Sequence, residues 1–223
     1  MIVLNDLTKI YTPNKYTQIT AIQNINLQVN QGEMVLLKGA SGSGKSTILS
    51  LIAGLSKPTS GEVIVHDQHI SKLPDDFAST FRQTYIGFIF QKYNLIPNLT
   101  VQENILLPLV PQNLETNEAK ALLHEVMTHF KIEHKKDEMV KNLSGGEQQR
   151  VAIARSQINH PKIVIADEPT ANLDKALSLH FIDTLKELKS QGKTIIVATH
   201  DPLFFNLDFC DRTIELSNGE IIS

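Results

Sequence analysis

The chain has no tryptophan, one cysteine (Cys210) and few aromatic residues, 6% of its 223 positions. A single thiol excludes an intramolecular disulfide and suits a reducing compartment, so Cys210 reads as a packing residue. No stretch approaches the ~18 apolar residues that a membrane-crossing helix needs. The segment Met1-Ile2-Val3-Leu4-Asn5-Asp6 lacks the basic start and apolar run of a secretory leader, so a soluble, unsecreted chain is expected, with a membrane partner left open. An excess of one charge is also missing. Lys and Arg total 21 against 24 Asp and Glu, a formal net charge of -3, and no five like charges adjoin. That balance argues against DNA or RNA as a partner. Repeats, low-complexity tracts and long linkers are absent, and the length suits one large domain, 1–223, with room for an insertion.

Short β-rich runs alternate with helical patterns, which predicts an α/β chain. Residues 2–10 and 19–29 alternate apolar and polar side chains, as antiparallel strands with one exposed face do. Residues 34–38 read as a buried strand and 46–53 as a helix, with glycines between them. Further buried strands are predicted at 85–90, 163–166 and 194–198; polar residues follow their carboxyl ends, where open α/β sheets bind ligands. From residue 92 to about 160 the strand pattern disappears, and Leu122, Leu123, Val126, Met127 and Phe130 share one helical stripe. This interval reads as an inserted helical subdomain. A second amphipathic helix carries Leu177, Phe181, Leu185 and Leu188 and stops at Gln191-Gly192. Turns are predicted at 57–61 and 217–219.

Gly39-Ala40-Ser41-Gly42-Ser43-Gly44-Lys45-Ser46-Thr47 has the spacing of a phosphate loop, with a strand before it and a helix after it. Its glycines let backbone N–H groups wrap phosphates. Lys45 would contact the β and γ phosphates of ATP, Ser46 would hold Mg²⁺, and Thr47 would reach the α phosphate. The strand at 163–166 runs into Asp167-Glu168. Asp167 suits a Mg²⁺ contact, and Glu168 suits activation of the water that attacks the γ phosphate. Gln91 follows one strand and can ligate Mg²⁺ and orient water; His200 follows another and can bond the γ phosphate. Asp174 is either functional or the N-cap of the next helix. His66 and His69 lack a third ligand, and His124, His129 and His134 are five apart and spread around a helix, so no histidine metal site is expected.

Between these motifs lies Leu143-Ser144-Gly145-Gly146-Glu147-Gln148-Gln149-Arg150. A serine and two glycines opening a helix offer a hydroxyl, bare N–H groups and the positive end of the helix dipole to an anion. A second phosphate grip in a chain that already has one points to an ATPase that works in pairs, the second grip coming from another copy or a paralogue.

The ordered set of phosphate loop, Gln91, Leu143 to Glu147, Asp167-Glu168, Asp174 and His200 resembles the nucleotide-binding subunits of ABC transporters over nearly the whole chain. The resemblance implies a P-loop NTPase fold: a mixed, largely parallel core sheet, an N-terminal antiparallel β subdomain and an inserted α-helical subdomain. It implies ATP and Mg²⁺ as ligands, Gln91 as the lid glutamine, Ser144, Gly145, Gly146 and Glu147 as the family signature, Glu168 as catalytic base, Asp174 as the aspartate of the dimer-contact loop and His200 as the switch histidine. Two subunits are then expected to close head to tail on two ATP molecules. Tyr11, at the end of the first predicted strand, sits where the family stacks an aromatic ring on adenine, with Tyr16 as a rival. The segments 86–91, 94–97, 103–105 and 166–174 look like the branch of macrolide exporters, lipoprotein-release ATPases and antimicrobial-peptide-resistance ATPases, although Ala171 stands where that branch commonly has glycine. Members of this branch pair with an integral membrane subunit, which places the chain in the cytoplasm, peripheral to the inner face of the membrane. Export or extraction of a lipophilic or peptide substrate is the expected task. A repair, chromosome or translation ATPase is the alternative, disfavoured by the lack of a coiled-coil heptad run or a second ATPase domain. A small-molecule kinase would leave the signature segment without a role.

Overall fold

Ile2, Leu4 and Leu7 are buried together with Ile22, Ile25, Leu27 and Val29, while their sequence neighbours are largely half-buried or exposed. That alternation is what a one-faced sheet requires. The computed structural model describes residues 1–222. In chain order the elements are β1 (Ile2–Asn14), β2 (Thr17–Val29), β3 (Met34–Lys38), α1 (Lys45–Ile52), β4 (Ser60–Val65), β5 (Gln68–His69), α2 (Asp75–Tyr85) and β6 (Ile86–Ile89). They continue with α3 (Val101–Leu106), α4 (Thr116–His129), α5 (Gly145–Gln157), β7 (Ile163–Asp167), α6 (Lys175–Ser190), β8 (Thr194–Thr199), β9 (Arg212–Ser217) and β10 (Glu220–Ile221).

Two sheets result. One is antiparallel, in the order β2-β1-β4-β5. The other runs β10-β9-β3-β8-β7-β6 and is parallel except for the β9–β10 hairpin. Strand residues alternate between two apolar cores, as period-two side chains must. Met34, Leu36, Val164, Ala166, Ile195 and Val197 pack with residues of α3, α4, α5 and α6. Val35, Leu37, Ile163, Ile165, Ile196 and Ala198 pack with α1 and the antiparallel sheet.

Three expectations are corrected. The first hairpin is longer than its apolar runs: β1 continues to Asn14 and β2 begins at Thr17, because backbone pairing through register shifts carries it past the buried residues. Tyr11 therefore lies inside β1, not at its end. Residues 75–85 form a helix missed in the sequence: Ala78, Phe81 and Tyr85 recur at helical spacing, but Tyr85 reads as the start of the following strand, which cuts the stripe short. Tyr85 closes that helix and β6 starts one residue later. The strand signals of β4, β9 and β10 were weak because these strands lie at or near sheet edges. The Asn218-Gly219 turn has φ of 50° and 82°, the left-handed pair that a tight hairpin favours.

The helices between residues 101 and 157 follow the predicted patterns. Leu123, Val126 and Met127 of α4 are buried, and so are Phe181, Leu185 and Leu188 of α6. Gly192, at φ 80°, follows α6 in the left-handed conformation that ends many helices. The Cys210 thiol is half-buried against the core, and burial raises its pKa, so it is a packing group with little thiolate character. Among the described residues no helix is long and apolar enough to cross a membrane.

Candidate active site

Strand β3 delivers the chain into residues 39–44, and α1 begins at Lys45. Gly42 and Gly44 take φ of 80° and 104°, open only to glycine without strain. A Cβ on Gly44 would also stand 2.6 Å from Ile22 Cγ2 and 2.7 Å from the Ala21 carbonyl. Gly44→Ala is therefore expected to destabilise the chain by about 1–3 kcal/mol, a Tm fall of roughly 2–12 °C, measurable by thermal unfolding. The Gly219 N–H donates to the Ser43 carbonyl at 3.2 Å, and a Cβ on Gly39 would lie 2.4 Å from the Leu216 carbonyl. The β9–β10 hairpin thus forms one wall of the loop.

Lys45 is 5% exposed. Its Nζ donates to the carbonyls of Gly39 and Ala40 at 2.7 and 3.0 Å and lies 3.4 Å from Glu168 Oε1. Ser46 Oγ donates to Asp167 Oδ1 at 2.9 Å, joining the start of α1 to the end of β7. Burial pushes the Asp167 carboxyl above its ordinary range; the Ser46 hydrogen bond opposes this, neighbouring Glu168 adds to it and Lys45 offsets it. A cation beside Asp167 would relieve that desolvation.

Glu168 turns out of β7 at φ 43°, with its N–H bonded to the Ala198 carbonyl at 2.8 Å. The turn aims its carboxylate at the end of β8. There it accepts from Thr199 Oγ1 at 3.0 Å and the His200 N–H at 3.3 Å, and His200 Nδ1 lies 2.9 Å from Oε1. A carboxylate only accepts, so Nδ1 is the donor in this contact. The sequence reading missed Thr199, Thr170 and Asp201. Thr170 Oγ1 donates to Asp201 Oδ2 at 2.7 Å, and the Asp201 N–H donates to Thr199 Oγ1 at 3.0 Å. The contact joins segments 31 residues apart, and no local pattern signals it.

The start of α1 and the ends of β7 and β8 thus bring Lys45, Ser46, Asp167, Glu168 and His200 together in two adjoining sets of contacts. Gly39 and Ala40 join them through the Lys45 ammonium; the remaining expected residues lie around them. Gln91 is exposed after β6, its carbonyl accepting from Asn172 Nδ2 at 3.0 Å. Asp174 caps α6, accepting from the Leu177 N–H at 2.9 Å. Ala40, Ser41 and Gly42 are exposed, and Thr47 is half-buried. Tyr11 is 40% exposed, with Lys9 Nζ 5.0 Å from its ring centroid; Tyr16, at the hairpin tip, is 97% exposed. Of the histidines, His66 stacks on Tyr85, His69 pairs with Glu62, His124 with Glu133 and His129 with Glu187.

Ser144 caps α5 in a reciprocal box with Glu147. The Ser144 N–H and Oγ both donate to Glu147 Oε2 at 2.8 Å, and Lys135 Nζ stands 3.3 Å from Glu147 Oε1. These bonds, the Ser144 N–H first, lower the Glu147 pKa from 4.5 to about 2. A carboxylate held low in the folded state stabilises fully above its unfolded pKa and loses that contribution as pH falls toward the folded value. Glu147→Gln is expected to flatten the acid side of the stability curve between pH about 4.5 and about 2, read from denaturant midpoints across that range. Gly146 packs on α6, where a Cβ would lie 2.9 Å from Leu177 Cδ2.

The donors fit Mg-ATP. Ser43 Oγ is buried without a protein partner, Lys45 is held only by neutral carbonyls and one carboxylate, and Ser46 with Asp167 presents hard oxygen atoms. Among the described residues no cluster of three His, Cys, Asp or Glu could hold a metal ion. A hydroxyl and one carboxylate, completed by phosphate oxygens and water, are the ligands Mg²⁺ usually takes.

A buried lysine in a glycine loop at the head of a parallel sheet, facing an Asp-Glu pair, defines a phosphate-loop nucleoside triphosphatase. The family model described as "ABC transporter" matches residues 22–171, and the chain belongs to that family. It is 39% identical to the uncharacterized ABC transporter ATP-binding protein YvcR of Bacillus subtilis, over 98% of this chain and 84% of that protein. It is also 39% identical to the macrolide export ATP-binding/permease protein MacB of Vibrio parahaemolyticus, over 100% of this chain and 34% of that protein; the chain spans about a third of its MacB relatives' length. Among solved structures, the dimeric bacterial ABC transporter cassette MJ0796 superposes with a TM-score of 0.92 at 40% identity, covering 100% of this chain and 97% of that one. MJ0796 in a dimeric post-hydrolysis state bound to ADP and Pi gives a TM-score of 0.91 at 39% identity, with the same coverage.

Proposed function

We propose that the chain, as one nucleotide-binding domain over 1–223 with its helical insertion at 92–160, is the ATP-binding and ATP-hydrolysing subunit of an ABC transporter. The observation that carries this reading is the pair of parallel contacts Ser46–Asp167 and Lys45–Glu168–His200, set side by side where α1 begins and β7 and β8 end. Residues 39–44 wrap phosphates with backbone N–H groups, Lys45 neutralises the β and γ phosphates, and Thr47 reaches the α phosphate. Ser46, Asp167 and Gln91 hold Mg²⁺. Bound there, the ion neutralises charge that develops on the phosphoryl oxygens. Glu168 accepts the proton of the attacking water; Thr199 and the His200 N–H orient its carboxylate. His200, exposed after β8 and held through Nδ1 by Glu168, bonds the γ phosphate. Tyr11 or Tyr16 covers the adenine.

Ser144 and Gly145, exposed at the start of α5, with half-buried Glu147 and with Gly146 buried against α6, suit a phosphate held by a second copy or a paralogue, with Asp174 at the seam. The dimeric MJ0796 cassettes support this pairing. Closure of the pair drives a separate integral membrane subunit, with residues 92–104 as the contact, so the chain works in the cytoplasm on the inner face of the membrane. Export or extraction of a lipophilic or peptide substrate suits its similarity to MacB.

The test is purification of the Glu168→Gln chain with ATP from its native membranes in mild detergent. A stoichiometric membrane protein is expected; recovery of soluble partners alone would refute the transporter assignment.

A further inference from the structure

Helix α5 carries two side chains that none of these roles uses, and each grips a different loop of the site. Arg155 Nη2 donates to the Tyr93 carbonyl and Nη1 to the Asn94 carbonyl, both at 2.6 Å. Tyr93 and Asn94 are consecutive left-handed residues, at φ 59° and 48°, a region where an aromatic residue is held only when its surroundings over-determine it. The double left-handed turn aims both carbonyls at one guanidinium, whose planar fork suits two acceptors at once. Tyr93 also closes a turn around Gln91, its N–H on the Phe90 carbonyl at 2.9 Å. Nearer the start of α5, Gln149 is 4% exposed and donates from Nε2 to the carbonyl of Pro169, next to Glu168, at 3.2 Å. The hydrogen bond from Asn172 to Gln91 ties the two loops to each other, which completes a triangle.

We propose that Arg155 and Gln149 are positioning residues, through which α5 holds the Gln91 and Glu168 loops in fixed relation to each other and to Ser144. Resting on the two-subunit reading above, this makes α5 the link between nucleotide sites: Ser144 meets the partner's nucleotide while the same helix sets the two loops that act on its own. A guanidinium partly removed from water strongly favours keeping its carbonyls, so the Gln91 loop moves with α5.

Arg155→Met keeps an unbranched apolar stem and removes both donors; Arg155→Lys keeps the charge but cannot fork. In the full chain, Arg155→Met is expected to lower kcat about 10- to 100-fold, as for a displaced catalytic group, with the ATP dissociation constant changed less than about twofold. The Mg²⁺ concentration for half-maximal rate is expected to rise. Amide hydrogen exchange is expected to quicken at residues 91–95 and to stay slow at 34–38. Arg155→Lys is expected to fall between wild type and Met in both readouts. Unchanged turnover and exchange in Arg155→Met, faster exchange throughout the chain, or a Lys variant equal to wild type in both would overturn the proposal. A wild-type chain that does not hydrolyse ATP would refute the functional reading instead, and the exchange comparison would still decide whether Arg155 holds the loop.

Discussion

Glu168→Gln is expected to cut ATP turnover by about 100- to 10,000-fold, the usual contribution of a positioned general base, and to leave nucleotide binding intact. The substitution keeps the side chain's volume and its turn at φ 43°. Its amide oxygen can still accept from Thr199 Oγ1 and the His200 N–H, the bonds that orient the carboxylate in the wild type. What disappears is the basic oxygen and one negative charge 3.4 Å from Lys45 Nζ. Losing a negative charge beside a phosphate site does not weaken its hold on a polyanion, so affinity is expected to stay level or rise. Phosphate release at saturating ATP, paired with equilibrium binding, checks both halves. Turnover above about a tenth of wild type would remove Glu168 from the role of base.

Ser144→Arg separates binding from pairing. Ser144 is exposed and its fold contribution is the α5 cap, so the substitution is expected to cost about 1 kcal/mol of stability and leave the chain folded. A bulky cation would then fill the space where the second subunit's phosphate is to sit. Nucleotide binding by the isolated chain is expected to match wild type, while the ATP-dependent dimer formed in the Glu168→Gln background is lost, together with at least about 100-fold of hydrolysis. Light scattering on a sizing column distinguishes the two states. Should the isolated chain itself lose ATP, the two-sided grip is wrong.

Legibility in the sequence followed distance along the chain. Gly39 to Thr47, Asp167-Glu168 and Leu143 to Arg150 are contiguous, and each joins a secondary-structure boundary to residues of distinctive chemistry, so both position and reactivity were readable. The buried strands at 34–38, 163–167 and 194–199 were readable for the same reason: burial on both faces leaves an apolar run. Helix α2 was not, since its last apolar position, Tyr85, adjoins the apolar run of β6 and was counted with it. Strand β9, with Arg212, Thr213 and Glu215 among its six residues, lacks an apolar run. The bonds of Thr170 to Asp201 and of Arg155 to Tyr93 and Asn94 depend on tertiary distance between unremarkable positions. Asp174 showed its capping bond only in the structure, and that bond leaves its part at a subunit seam to the dimer experiment.

The β9–β10 hairpin bears on when, during synthesis, the site comes to exist. Strand β3 is flanked by β8 and β9, with Val35 paired to both Ile196 and Arg212, and the phosphate loop rests against Leu216 and Gly219. A chain made from its amino terminus has translated the phosphate-loop motif long before these partners leave the ribosome, and such non-local pairing forms late. A nascent chain stalled short of residue 212 therefore displays the complete motif yet lacks the strand against which the loop is set. Nucleotide capture by the loop is thus expected to wait for residues 212–219, which supply its wall.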